Sequence, residues 1–145
     1  MNNKETGMEK FMKQLNPLGL YNTTLDDIKR YNRADTVNMS EQEMNQFRHI
    51  AGPAVLRSNY YPAGFTRFLG WSKELKDLFQ GRGLEDTKYD LRNNDIGINI
   101  GSKYPNTSNK KLYDYIFKNH IEPQRLSKFQ QKMLENKGGG ISGKK

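Results

Sequence analysis

Residues 81–101 read GRGLEDTKYDLRNNDIGINIG, and how this stretch is taken decides the fold. Gly81 and Gly83 admit positive φ, so the chain can turn tightly on either side of Arg82. A helix opening near Leu84 carries Glu85 and Asp86 in its first turn, where the positive end of the helix dipole favours anions. Continued as a helix, Asp86, Asp90 and Asn94 share one face at one-turn intervals, with Leu84 and Leu91 on another. Carboxylates one turn apart repel unless a cation lies between them. Arg82, Arg92, an Arg or His from another segment, or a metal would serve. Asn93–Asn94 reads as a helix end, because Asn competes for backbone groups and tolerates the left-handed region. Ile96, Ile98 and Ile100 then alternate with Gly97, Asn99 and Gly101, a period of two that predicts a short extended segment. Two readings stay open. The polar face is a solvated face paired with bases elsewhere, or it is a polar centre locking distant segments through Arg48, His49, Asp90, Asn93 and Asn94.

Working towards the N-terminus, Ser40 with Glu43 forms a capping box. Met44, Phe47, Ala51 and Val55 follow as an apolar helical stripe. Pro53 removes the amide that would bond the His49 carbonyl, so the helix should kink or restart there. Gly52 reads as a site of close approach to another element. His49 is a half-buried hydrogen-bonded histidine, or an acid/base or pairing partner for the Asp86/Asp90 face. Pro62 suits the first turn of another helix, in which Ala63, Phe65, Phe68 and Leu69 pack and Gly70 stops the run. Ser72 then caps a further helix carrying Glu74, Leu75, Leu78 and Phe79, and Trp71 reads as a core anchor. Met8, Phe11, Met12 and Leu15 form one face of a short helix ended by Pro17 and Gly19, with docking on a partner or a membrane surface as its other reading. Thr24 reads as the N-cap of a helix to Tyr31. Asn32 to Met39 is polar and turn-like.

Towards the C-terminus, GSKYPNTSN (101–109) is a loop and Ser108 caps a helix to about Asn119. His120 follows near the C-terminal end of that helix, where a charged imidazole is favoured. Pro123 opens a last helix, with Leu126, Phe129 and Met133 on one side and Arg125, Lys128 and Lys132 on the other. Residues 136–145 read as a flexible basic tail, leaving a single domain over 1–135 with a motif core at 44–101 and basic helices at 108–135. Gly and Pro interruptions throughout predict an all-α fold: a compact bundle of about six to eight short helices, with at most one short extended segment near Ile96–Ile100.

The charge is unevenly placed. Residues 102–145 hold ten Lys/Arg and three Asp/Glu, out of a net +8 for all 145 residues. That field selects an anionic partner, whether nucleic acid, an acidic protein surface or anionic lipid, with Lys110, Lys111, Lys118, Arg125, Lys128 and Lys132 as its contacts. Without cysteine there is no disulfide framework and no thiolate site. No apolar run approaches the ~20 residues that cross a bilayer. The start MNNKETGMEK lacks the apolar region of a cleaved export signal. Phosphate loops, HExxH and GxSxG are absent, and DLRNNDIG does not space its oxygens as a calcium loop does. No metal or cofactor is expected. The set left over for chemistry is His49, Glu74, Asp86, Asp90 and Asn94.

Asn45–His49 (NQFRH), Lys73–Glu74 and Asp90–Gly97 (DLRNNDIG) resemble an uncharacterised family of small helical domains from bacteria and their phages. Its members carry an NxFRH motif, an HE pair and a DLxNNxxG motif. Lys73 stands where that family has His, which weakens any carry-over of enzymatic or metal roles. The Asn- and Lys-rich style also resembles a tailed-phage protein. The resemblance implies a noncatalytic virion or assembly component contacting other virion proteins and DNA, in the virion or in host cytoplasm before assembly. The alternatives are a small cell-envelope or lipid hydrolase using His49, Glu74, Asp86 and Asp90, and a DNA-binding accessory protein.

Overall fold

The computed structural model describes residues 5–32, 38–81 and 83–139, and all the regular structure among them is helical. Seven α-helices follow one another: α1 (Gly7–Gln14), α2 (Pro17–Asn32), α3 (Glu41–Asn59), α4 (Ala63–Phe79), α5 (Leu84–Lys103), α6 (Asn109–Ile116) and α7 (Glu122–Gly139). A single π-helical turn, Phe117–Ile121, joins the last two. Among the described residues no helix is long and apolar enough to cross a membrane.

The central helix is α3. Ser40 and Glu43 close the capping box at its start, each side chain bonding the other's backbone amide. Phe47, Ile50, Ala51, Ala54 and Val55 are buried along it, joined by Ile28 of α2, Ile100 of α5 and Leu112 and Ile116 of α6. Removing each large apolar side chain of this set from water contributes about 1.5–3 kcal/mol. Phe47 stacks on Tyr31 and meets the edge of Tyr113, whose hydroxyl donates to Asp27 at 2.8 Å. At the far end of α3, the Ser58 hydroxyl donates to the Tyr104 carbonyl at 2.6 Å, pinning the α5–α6 loop.

Helix α5 packs along α3 more extensively than any other pair of elements. The closeness has a simple origin. A Cβ on Gly101 would lie 2.6 Å from the Ala54 carbonyl oxygen, and one on Gly97 would fall on the Ile50 carbonyl. Two glycines one turn apart therefore let the backbones touch. This corrects the extended segment expected at Ile96–Ile100: the small residues recur at four, not two, so the helical period wins. Asn93–Asn94 consequently lies inside α5, both side chains buried, and is not a terminus.

Other boundaries also move. Pro17 does not end a helix but opens α2, which runs through Thr24; that hydroxyl bonds back to the Leu20 carbonyl at 2.8 Å. Gly70 and Ser72 sit within a continuous α4. Gly52 has open space where its Cβ would be, so the close approach belongs to Gly97 and Gly101. Trp71 is 53 % exposed and anchors no core. His120 lies half-buried in the π turn, where burial lowers its pKa and favours the neutral ring over the charged one expected. The tail expected from residue 136 is helical as far as Gly139. Arg82, residues 33–37, residues 140–145 and the side chains of Leu75, Leu78 and Phe79 lie outside the described residues.

Candidate active site

Pro53 sits inside α3 and cannot donate to the His49 carbonyl one turn earlier. The vacancy is filled from α5. The Asn94 amide, oriented with its nitrogen towards α3, donates to the His49 carbonyl at 3.0 Å and to the Asp90 carbonyl at 3.3 Å. Asp90, Asn94, Gly97 and Gly101 form one stripe on α5, so the glycine contact that seats the helix also aims Asp90 at α3. There Asp90 Oδ2 lies 3.4 Å from His49 Nε2.

Helix α4 repeats the device. A Cβ on Gly70 would lie 2.8 Å from the Asn94 side-chain amide, so α4 approaches α5 closely at this point. Glu74, one turn further on, is thereby carried into the same centre. His49, Glu74 and Asp90 each offer a ligand atom, and these three atoms lie within 4.8 Å of one another. Asp90 and Glu74 are 0 % and 1 % exposed. Withdrawing each carboxylate from water costs several kcal/mol, and packing alone gives no reason to gather them. Buried titratable groups gathered this closely beside a cleft are candidates for chemistry. One nitrogen and two hard oxygens from three helices would also hold a single divalent ion.

The cluster faces a cleft of about 690 Å³ between α2, α3 and α4, and His49, Glu74 and Asn94 are part of its wall. Leu18, Tyr21, Pro53, Leu56 and Leu69 make much of the remainder apolar; Arg48 and Lys76 bring positive charge to it, while Lys73 is paired at 3.2 Å with Asp77 of the same wall. Arg48 donates to Asn45 at 2.6 Å. Its expected pairing with Asp90 is thus taken by His49. Asn93 is buried, with no acceptor for its amide nitrogen among the described residues.

Asp86 is exposed on the first turn of α5 and does not line the cleft, so it leaves the candidate set. Of the basic residues, Lys110 pairs with Asp114 at 2.7 Å. Arg125 is turned inward onto Glu43, at 2.8 and 2.9 Å, and that guanidinium, with the Ser40 amide, draws the Glu43 carboxyl down to about 2. Lys111, Lys118, Lys128 and Lys132 remain exposed. Sequence reasoning missed the cleft itself, above all the contribution of Leu18 and Tyr21. The spacing of Gly70 and Glu74 was the available signal for the α4 wall. No family model matches this chain, and neither does any curated protein or solved structure.

Proposed function

We propose that the protein is a small hydrolase that cleaves an acyl ester of an anionic amphiphile, with water as the nucleophile. One observation carries the reading: His49, Glu74 and Asp90 converge from three helices, with His49 and Glu74 in the wall of a mainly apolar cleft and Asp90 buried behind them. Asp90 sits behind the imidazole and holds Nε2, which leaves Nδ1 as the basic nitrogen of that tautomer. Nδ1 takes a proton from water as its oxygen bonds the ester carbonyl carbon. The ester C–O bond then breaks, and the imidazolium returns the proton to the departing alkoxide, giving a carboxylic acid and an alcohol. Glu74 positions the water and offsets the imidazolium charge. Leu18, Leu56 and Leu69 receive the acyl chain, and Arg48 and Lys76 favour an anionic head group.

The test is release of acid from a water-soluble short-chain ester and from phosphatidylglycerol micelles. His49→Asn and Asp90→Asn should each lower turnover by about 10²-fold or more while melting as cooperative folds. A folded His49→Asn protein that keeps wild-type turnover, or a wild-type protein that releases no acid from either substrate, would overturn it.

A second reading, the virion or assembly component with a basic anion-binding face, draws on α7. That helix packs on the π turn, and its residues from Leu126 to Asn136 are all exposed, Lys128 and Lys132 included. Absence from washed particles would remove it, and DNA affinity indifferent to salt would remove its nucleic-acid form.

A further inference from the structure

Three potential metal ligands meet at one place among the described residues: His49, Glu74 and Asp90. Carboxylates that gather at a surface need no ion, but these three side chains are each more than nine-tenths buried. They stand on different helices whose spacing is fixed by close contact. Gly97 seats α5 on Ile50 of α3, Gly70 lets α4 close on Asn94, and Asn94 bonds the His49 carbonyl. Ligands on so rigid a frame are held near one another before any ion arrives. Charge points the same way. Two ionised carboxylates beside an imidazolium leave a negative charge within the trio, whereas two carboxylates, a neutral imidazole and a divalent cation leave none.

The distances select the kind of ion. Tetrahedral zinc holds imidazole nitrogen and carboxylate oxygen at about 2.0–2.2 Å, so two of its ligand atoms lie about 3.4 Å apart. His49 Nε2 and Asp90 Oδ2 stand at that separation, 3.4 Å. Bridged instead by a proton in a charge-assisted hydrogen bond, the same atoms would close to about 2.7–2.9 Å. The three ligand atoms lie within 4.8 Å of one another, so the Glu74 side chain completes a face of the tetrahedron by drawing in about 1.5 Å at most. Magnesium and calcium ask for about six or more ligands, nearly all oxygen, which a histidine and two carboxylates do not supply. His49 and Glu74 are in the wall of the cleft, so the fourth position opens to it.

We propose that His49, Glu74 and Asp90 bind one zinc-class divalent ion tetrahedrally, and that the ion switches the site off. The switching rests on the hydrolase reading; the binding does not. An ion on Nε2 sends the ring proton through solvent to Nδ1, so the nitrogen that would accept a proton from water is no longer basic. Protein freed of metal by dialysis is titrated with Zn2+ against a chromophoric chelator, and separately with Co2+. One ion should bind per chain, Co2+ should give the intense visible bands of a tetrahedral site, and zinc should raise the melting temperature. Glu74→Gln and Asp90→Asn keep the shape of each side chain and should weaken zinc binding by about 10²-fold or more. Asp86→Asn, exposed one turn before Asp90, should leave it unchanged. Turnover of the short-chain ester should fall in step with zinc occupancy and return on chelation. Lack of saturable binding, pale octahedral Co2+ bands in the wild type, or an affinity that Asp86→Asn lowers as much as Asp90→Asn would overturn the ion site. Turnover that rises with occupancy would overturn the switch. Zinc binding without ester cleavage removes the hydrolase and the switch and leaves the ion site. Ester cleavage without zinc binding does the opposite.

Discussion

Gly97→Ala is the sharpest perturbation of this fold, and its size can be worked from the α3–α5 contact. At Gly101 the added methyl carbon would lie 2.6 Å from the Ala54 oxygen, whereas such contacts settle at about 3.3 Å, so the helices must part by about 0.7 Å. At Gly97 the Ile50 oxygen is closer still, with the Ile50 carbonyl carbon at 3.0 Å and the Ala54 nitrogen at 3.2 Å. All three are backbone atoms that no rotamer change can clear, so a separation near 1 Å is needed. Overpacking of this kind costs about 1–3 kcal/mol, and the backbone clash places it at the upper end, against a helix-propensity gain of about 1 kcal/mol. A net loss of about 2 kcal/mol lowers the melting temperature by about 4–8 °C in a domain of this size. The same parting stretches the 3.4 Å approach of His49 to Asp90, so turnover should fall with stability. Gly64→Ala is the internal control, exposed in the first turn of α4 with open space at its Cβ, and should stabilise by up to about 1 kcal/mol. Calorimetry on the three proteins decides the matter. A Gly97→Ala protein melting at or above wild type would refute the claim that glycine sets the helix separation.

Two further outcomes follow. Asn94→Ala should cost about 1–3 kcal/mol by stranding the His49 carbonyl; in a Pro53→Ala background, where the backbone supplies the missing donor, denaturant titration should find a smaller cost. The Glu43 carboxyl is held down to about 2 by Arg125, so the pair contributes fully above the ordinary carboxylate range and is lost as pH falls towards about 2. Melts of Glu43→Gln should therefore show a deficit of about 1 kcal/mol at neutral pH that closes on acidification, and a constant gap would sink that account.

Much of the architecture was readable in advance because its causes are local. The Ser40–Glu43 box and the Phe47–Ala51–Val55 stripe need only neighbouring residues, and both are where the spacing put them. The helical class followed from the same periodicity. The extended segment expected at Ile96–Ile100 failed for a physical reason: alternating Ile and Gly satisfies two periods at once, and only the facing helix chooses between them. Trp71 and the α1 stripe failed differently, because an exposed apolar surface and a buried one are written with the same residues. At the site, His49, Glu74 and Asp90 were named from residue type, but their meeting depends on Gly70 and Gly97, whose role is visible only against their partners. Asp86 shared the spacing of Asp90 and lacked the burial.

The π turn at Phe117–Ile121 has a consequence for the last helix. Such a turn lodges one surplus residue in an otherwise regular coil, and a single residue is worth about 100° of rotation around a helix axis. Which way Phe129 and Lys132 point is therefore governed by the parity of a five-residue segment some distance away along the chain. Loss of that surplus residue would swing the whole outer limb to a new bearing while leaving its composition untouched, so the reach of α7 can be retuned by an indel without redesigning the arm itself.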